Sequence, residues 1–294
     1  FVGDDPDGWA ILNPDGSWAK RVLATTTADE PDARGTADPQ GCAFDAAGNL
    51  YGNDVGGADP TAGNGNLIVF FADDDYRSHC FLATGLAQPS FPIFVDGELW
   101  FSRTGLAQIT RLSGSFPETA DDCELVPDGS TGRMIPVPKP GFRPTVTALL
   151  TPPDVTPAAI VPLSDGPARR FLVSSPLLTP SIVELLDVGL LTALLSRVVV
   201  PPLVPQNPLG MALTADRRTL FFVELALDLT SFSTGCGRLS KVPADSPLPS
   251  LPSVVRGNLR FPDGVTVVDP ALLDVDFATR PPLPDQPSSA CTPE

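Results

Sequence analysis

Five cysteines and a single histidine have the widest chemical repertoire in this chain, and their spacing narrows it. Cys42, Cys80, Cys123, Cys236 and Cys291 form no Cys-x-x-Cys pair, and His79 is the lone imidazole. Neither a zinc site nor a c-type haem attachment is expected. His79 lies between Ser78 and Cys80, on a segment that reads as an outer strand, so a Ser/His or Cys/His nucleophile is not expected either. The chain has no Walker loop and no GxSxG elbow. Gly56-Gly57 and Gly63-x-Gly65 read as loop glycines, since no helix follows to hold a dinucleotide, and no nucleotide cofactor is expected. The cysteines therefore read as structural. Two disulfides and one spare thiol in an exported protein (secreted, periplasmic or cell-surface) is the reading preferred over five buried thiols in the cytosol. The pairing stays open, with Cys236 and Cys291 as candidates for a bridge that pins the C-terminal tail.

Carboxylates are the other reactive resource. Asp and Glu number 35 against 19 Lys and Arg, a net charge of −16. That balance argues against nucleic acid and anionic membrane surfaces as partners, because both need clustered positive charge. Asp4-Asp5-Asp7, Asp73-Asp74-Asp75 and Asp121-Asp122-Glu124 read as solvated turns, with surface calcium as the alternative. Asp45, Asp96 and Asp216 stand in tight turns, where a carboxylate caps its own backbone.

The elements that must position these groups are short strands. The chain has 35 prolines and 25 glycines among 294 residues, which leaves little room for long helices. The most apolar stretch, residues 181–204, is interrupted by Glu184, Asp187 and Arg197 and broken at Pro201-Pro202, too short a run to span a bilayer. Phe1 in place of Met reads as a processed or trimmed product.

A hairpin recurs along the chain. Residues 40–51 run strand, Asp-Ala-Ala-Gly turn, strand; residues 209–221, 94–101, 160–173 and 261–268 repeat it with variations. The leucines near the start of each second strand, Leu50, Leu99, Leu172 and Leu220, fall about 50 residues apart, with one interval of about 70, the period of a β-propeller. Outer hairpins pair 67–71 with 79–82, 108–112 with 123–126, and 239–242 with 253–256. At the chain start, 9–12 and 18–23 form one more. The expected fold is all-β: a single propeller over residues 1–280, six blades favoured and five the alternative. The N-terminal strands would complete the last C-terminal blade, an inner hairpin of 265–268 and 272–277. Residues 131–155 form an irregular blade or an inserted arm, and 281–294 a Pro/Ser-rich tail.

Pro39-Gln40-Gly41-x-Ala43-Phe44-Asp45-x-x-Gly48-Asn49-Leu50-Tyr51, Pro208-Leu209-Gly210-Met211-Ala212-Leu213 and Phe261-Pro262-Asp263-Gly264 resemble the repeat of NHL-type propellers. They are also similar to those of the senescence-marker-protein/gluconolactonase and strictosidine-synthase-like group. The resemblance implies a divalent cation, often calcium, held by oxygen donors at the mouth of the channel, where it would polarise a lactone or ester carbonyl. Carried over residue by residue, the donors are Glu224, Asn53, Asp54 and Asp263, with Gln40 in an equivalent slot. The position after Pro208, where the group often has an asparagine, holds Leu209. Two functions follow. One is an exported, non-enzymatic propeller that binds a protein or small molecule at a propeller face, or assembles with itself. The alternative is a calcium-dependent lactonase or esterase; whether the chain is an enzyme is left open.

Overall fold

The structure is a computed structural model that describes residues 2–5, 8–12, 18–23, 39–55, 63, 65–129, 132–164, 169–189, 191–225, 227–228, 233–234, 236–260 and 264–267. Apart from four single-turn 3-10 segments, its regular elements are strands. Three short ones open the chain: β1 (Val2–Asp5), β2 (Gly8–Leu12) and β3 (Trp18–Leu23). Blade 1 follows as β4 (Pro39–Phe44), β5 (Leu50–Asp54), β6 (Gly65–Phe70) and β7 (His79–Leu86). Blade 2 takes β8 (Pro89–Val95), β9 (Glu98–Arg103) and β10 (Gln108–Ser113). A two-stranded arm of β11 (Cys123–Pro127) and β12 (Met134–Pro138) intervenes before β13 (Thr145–Leu150) completes that blade. Blade 3 is β14 (Ile160–Ser164), β15 (Arg169–Ser175), β16 (Ser181–Asp187) and β17 (Leu194–Val200). Blade 4 contains β18 (Pro208–Leu213) and β19 (Thr219–Glu224). The small hairpin of β20 (Leu227–Asp228) and β21 (Ser233–Thr234) follows, and β22 (Cys236–Pro243) with β23 (Ser253–Arg260) finishes the blade.

All four blades are antiparallel meanders, the repeating unit of a β-propeller. Leu50, Leu99, Leu172 and Leu220 sit in their second strands and all are fully buried. The first strands of blades 1, 2 and 4 are each bulged near their opening proline. Pro39 pairs with Asp54 and Cys42 with Gly52, so Gln40 and Gly41 together oppose Asn53, and Pro208 opens the same offset opposite Glu224. In blade 2 Pro89 pairs with Arg103 and Ser90 with Ser102, and the bulge comes one residue later, with Phe91 and Pro92 opposing Phe101. Gly41 has φ +68, and a Cβ there would lie 2.9 Å from the Phe91 backbone. Only glycine lets the two blades approach so closely at this point.

The chain divides into two compact units, the first holding β1–β13 and the second β14–β23. In the first, blade 1 buries both faces. Its face toward blade 2 joins Tyr51, Leu67, Val69 and Phe71 to Leu99, Phe101 and Leu112. Its other face packs Leu50, Ile68, Phe70 and Phe81 against Trp9 and Val22 of the N-terminal sheet and Ile135 of the arm. Trp9 lies over Gly52, where a Cβ would come within 2.3 Å of the ring, and its Nε1 donates to the Gly41 carbonyl at 3.0 Å. In the second unit, blades 3 and 4 are tied by polar side chains. Ser174 Oγ donates to Leu209 O and Asn207 Nδ2 to Pro176 O, both at 2.8 Å, while Arg197 reaches the carbonyls of Ala244 and Ser246.

Three expectations change. The outer strand paired with β10 is β13, in six consecutive rungs, and not residues 123–126. Those residues form β11, which pairs with β12 and is joined to blade 1 by the Cys80–Cys123 disulfide. Pro136 and Pro138 in β12 cannot donate to a further ladder, so this arm remains a two-stranded ribbon. Residues 131–155, expected as an irregular blade or an inserted arm, are thereby divided between the arm and β13. Third, the N-terminal sheet is not a bare outer hairpin: β1 adds a strand, and the sheet has three. Residues 264–267 form no strand. The remainder of the expected last hairpin, 268–277, and the tail 281–294 lie outside the described residues.

Candidate functional site

Glu224 ends β19 and is fully buried. Both of its oxygens are engaged. Arg238, its cross-strand neighbour on β22, donates from Nε at 2.8 Å and Nη2 at 2.9 Å. The Gln206 amide donates at 2.7 Å, and Ser240 Oγ adds a further bond. The hydrogen bond from Arg238 to Glu224 raises the arginine above its ordinary value. A guanidinium already fills the place a dication would need, so Glu224 does not fit a calcium ion as it stands.

Asn53 and Asp54 are consecutive on β5, so their side chains point to opposite faces of blade 1. Asp54 is buried and accepts from Asn66 Nδ2 at 3.2 Å. Asn53 faces blade 2, in line with Tyr51, and its Nδ2 and Oδ1 are both buried without a partner. Asp263 lies outside the described residues. Gln40, in the bulge opposite Asn53, accepts from Ser90 Oγ of blade 2 at 2.9 Å. The structure therefore brings Gln40 to the next blade, pairs Asp54 with Asn66, and gives Glu224 to an ion pair in the second unit.

Two of the acidic clusters close their own turns. Asp74 accepts from the amides of Arg77 at 3.0 Å and Ser78 at 2.9 Å; Asp122 accepts from those of Glu118 and Thr119. Asp45 caps its turn through the amides of Ala47 and Asn49, both at 2.9 Å, and takes the Tyr51 hydroxyl at 3.1 Å. Asp216 accepts from the Arg218 amide at 3.1 Å. Burial first, then the Asp45 charge, pushes the Tyr51 phenol well up. Among the described residues, no three His, Cys, Asp or Glu side chains gather as a metal site.

His79 opens the outermost strand of blade 1, between the rings of Phe70 and Phe81. With Arg77, Glu124, Leu125 and Pro136 it lines a shallow cleft of about 360 Å³ beside the arm. Burial pushes the Cys42 thiol up, away from thiolate chemistry. Cys236 opens β22 half-buried, and its expected partner Cys291 lies outside the described residues. The Cys80–Cys123 bond is the kind that persists in an oxidising compartment. Among the described residues no helix is long and apolar enough to cross a membrane.

Residues that sequence reading passed over complete the polar inventory. Glu184 on β16 is fully buried between Arg170, 2.8 Å from Oε1, and Arg197, 2.6 Å from Oε2. Arg103 and Thr110 of blade 2 each have a buried polar atom without a partner. Aligning the three blade-opening prolines would have exposed Arg103, since it stands opposite Pro89 as Glu224 stands opposite Pro208.

No protein-family profile and no curated protein matches the chain. Among solved structures it is similar to a gluconolactonase from Xanthomonas campestris, with 16% identity over 78% of this chain and 66% of that one, at a TM-score of 0.47. It is also similar to a chain of a nidogen/laminin complex, with 15% identity over 83% and 75% of the two chains and a TM-score of 0.47. A PQQ-bound aldose sugar dehydrogenase from Streptomyces coelicolor has 12% identity over 79% and 72%, at 0.42. The chain spans just under two thirds of the length of the gluconolactonase.

Proposed function

We propose that this protein is an exported, non-enzymatic β-propeller that works by binding or assembly through the outer edges of its blades. The observation that carries this reading is β23, the terminal strand of blade 4. Every residue from Ser253 to Asn258 is exposed, with Val254 and Val255 at 54% and 46%. On β17, the terminal strand of blade 3, Leu194 and Leu195 are exposed as well. An open strand edge bearing apolar side chains is a template for adding a strand from a partner. The engagement of Glu224 by Arg238 supports the same reading, because it removes a donor from the hydrolase alternative.

In this reading the chain forms five blades, the ring being closed by the three-stranded N-terminal sheet. The disulfide supports export to a secreted, periplasmic or cell-surface location.

Sedimentation velocity over a dilution series tests the proposal, alongside lactone and ester hydrolysis with added calcium. Association that persists on dilution, and falls at least tenfold in Val254→Lys/Val255→Glu, is expected, with no hydrolysis. Calcium-dependent turnover by a strictly monomeric protein would replace this reading with the hydrolase.

A further inference from the structure

Three buried polar groups without partners lie in one layer, between blades 1 and 2. Asn53 is 0% exposed and Thr110 1%, and neither Asn53 Nδ2, Asn53 Oδ1 nor Thr110 Oγ1 has a hydrogen-bond partner. Arg103 is half-buried, and its Nε is likewise buried and unpaired. The ladders put all three in the same layer. Asn53 follows Tyr51 by two residues on β5, so it faces blade 2. Arg103 follows Leu99 and Phe101 by twos on β9, so it faces blade 1. Thr110 is the cross-strand partner of Phe101 and shares its face.

Among the described residues, the positions of β5, β6, β9 and β10 that face the layer hold no acid: they are Tyr51, Asn53, Leu67, Val69, Leu99, Phe101, Arg103, Gln108, Thr110 and Leu112. The Asp45 carboxylate beside Tyr51 is taken by that hydroxyl and by the amides of its own turn. In a chain with 35 Asp and Glu against 19 Lys and Arg, an arginine facing such a layer is conspicuous. Blade 4 shows the contrast. At the equivalent position it has Glu224, with Arg238 across the ladder to neutralise it. Across the ladder from Arg103, blade 2 offers the neutral Gln108. Desolvation alone acts on Arg103, lowering its guanidinium below the ordinary value. The buried Nε–H of Arg103 needs an acceptor, and a negative charge satisfies it best.

We propose that the layer between blades 1 and 2 is a binding site for a small oxyanion, held by Arg103, Asn53 Nδ2 and the Thr110 hydroxyl. The anion would supply acceptors to three donors of one layer and a countercharge to Arg103. A cation is disfavoured by the guanidinium, and a purely apolar guest would leave all three donors unsatisfied. This site is separate from the blade edges and does not depend on the edge-binding function.

The test is thermal unfolding of the full chain at constant ionic strength, with chloride exchanged for formate, acetate or inorganic phosphate. A saturable rise in the midpoint, of about 2–4 °C near saturation, is expected for at least one of these anions. Response to formate and acetate identifies a carboxylate ligand; response to phosphate alone identifies a phosphoryl group. Arg103→Gln should abolish the shift, and Asn53→Leu should weaken the apparent affinity at least tenfold. Arg103→Lys, which keeps the charge, should retain part of the response. A midpoint indifferent to all three anions would overturn the proposal, as would an equal shift in wild type and Arg103→Gln.

Discussion

A carboxylate buried to its last atom needs a fixed positive charge beside it, and two residues of the second unit meet that need differently. Glu224 takes a two-pronged guanidinium from its ladder neighbour Arg238, while Glu184 lies between Arg170 and Arg197. Removing only the positive partner would leave the charge stranded in a desolvated site. Arg238→Ala is therefore expected to destabilise the fold by about 3–5 kcal/mol in urea unfolding. Glu224→Gln/Arg238→Met, which removes both charges and keeps the volume, should recover most of that loss. A double variant as unstable as Arg238→Ala would mean that the pair is needed for more than charge compensation. At this scale the turn carboxylates were readable from sequence, because Asp45 and Asp216 act on amides within four residues of themselves. Glu224 stood out in the sequence as a candidate cation donor, but Arg238, 14 residues away, did not. Its role exists only once β19 and β22 are in register.

Strands inside a blade are set by local pattern, and strands between blades are not. The recurring hairpin and its turn residues located the second strand of every described blade, each marked by a leucine that the structure buries. The arm escaped the same reasoning. Residues 123–126 and 145–150 are both credible partners for β10, and the choice is made by contacts far away in sequence. Cys123 bonds Cys80 across 43 residues, and Ile135 packs into the cluster around Phe70 and Phe81. Closing a loop of that length with a disulfide is worth about 3–4 kcal/mol in the chain-entropy account. Cys80→Ser and Cys123→Ser should each lower stability by that order. Hydrogen exchange should rise mainly in residues 123–138, leaving the ladder of β8, β9, β10 and β13 protected. Exchange spreading first through β13 would show that the arm and blade 2 are one cooperative element.

At the scale of the whole molecule, the two units are held by different chemistry and should answer to different perturbations. The first has the disulfide and the aromatic layers around Trp9 and Tyr51; the second has the buried glutamate–arginine groups. Burial raises the Glu184 carboxyl, but hydrogen bonds from Arg197, Arg170 and Ser196 outweigh it, so its folded value lies below the ordinary one. A depressed carboxylate adds stability that is fully present above the unfolded value of about 4.3, and that is lost as pH falls through the lower folded value. Acidification below about pH 4 should thus loosen β16 and β17 before β5 and β6. Reductant at neutral pH should do the opposite, loosening the arm and β7 while blades 3 and 4 stay closed. Hydrogen exchange followed by mass spectrometry, corrected for intrinsic rates at each pH, reads both experiments on the same peptides. Acid and reductant that open one common set of peptides would mean that the units unfold together, and that neither local device governs the stability of its own half.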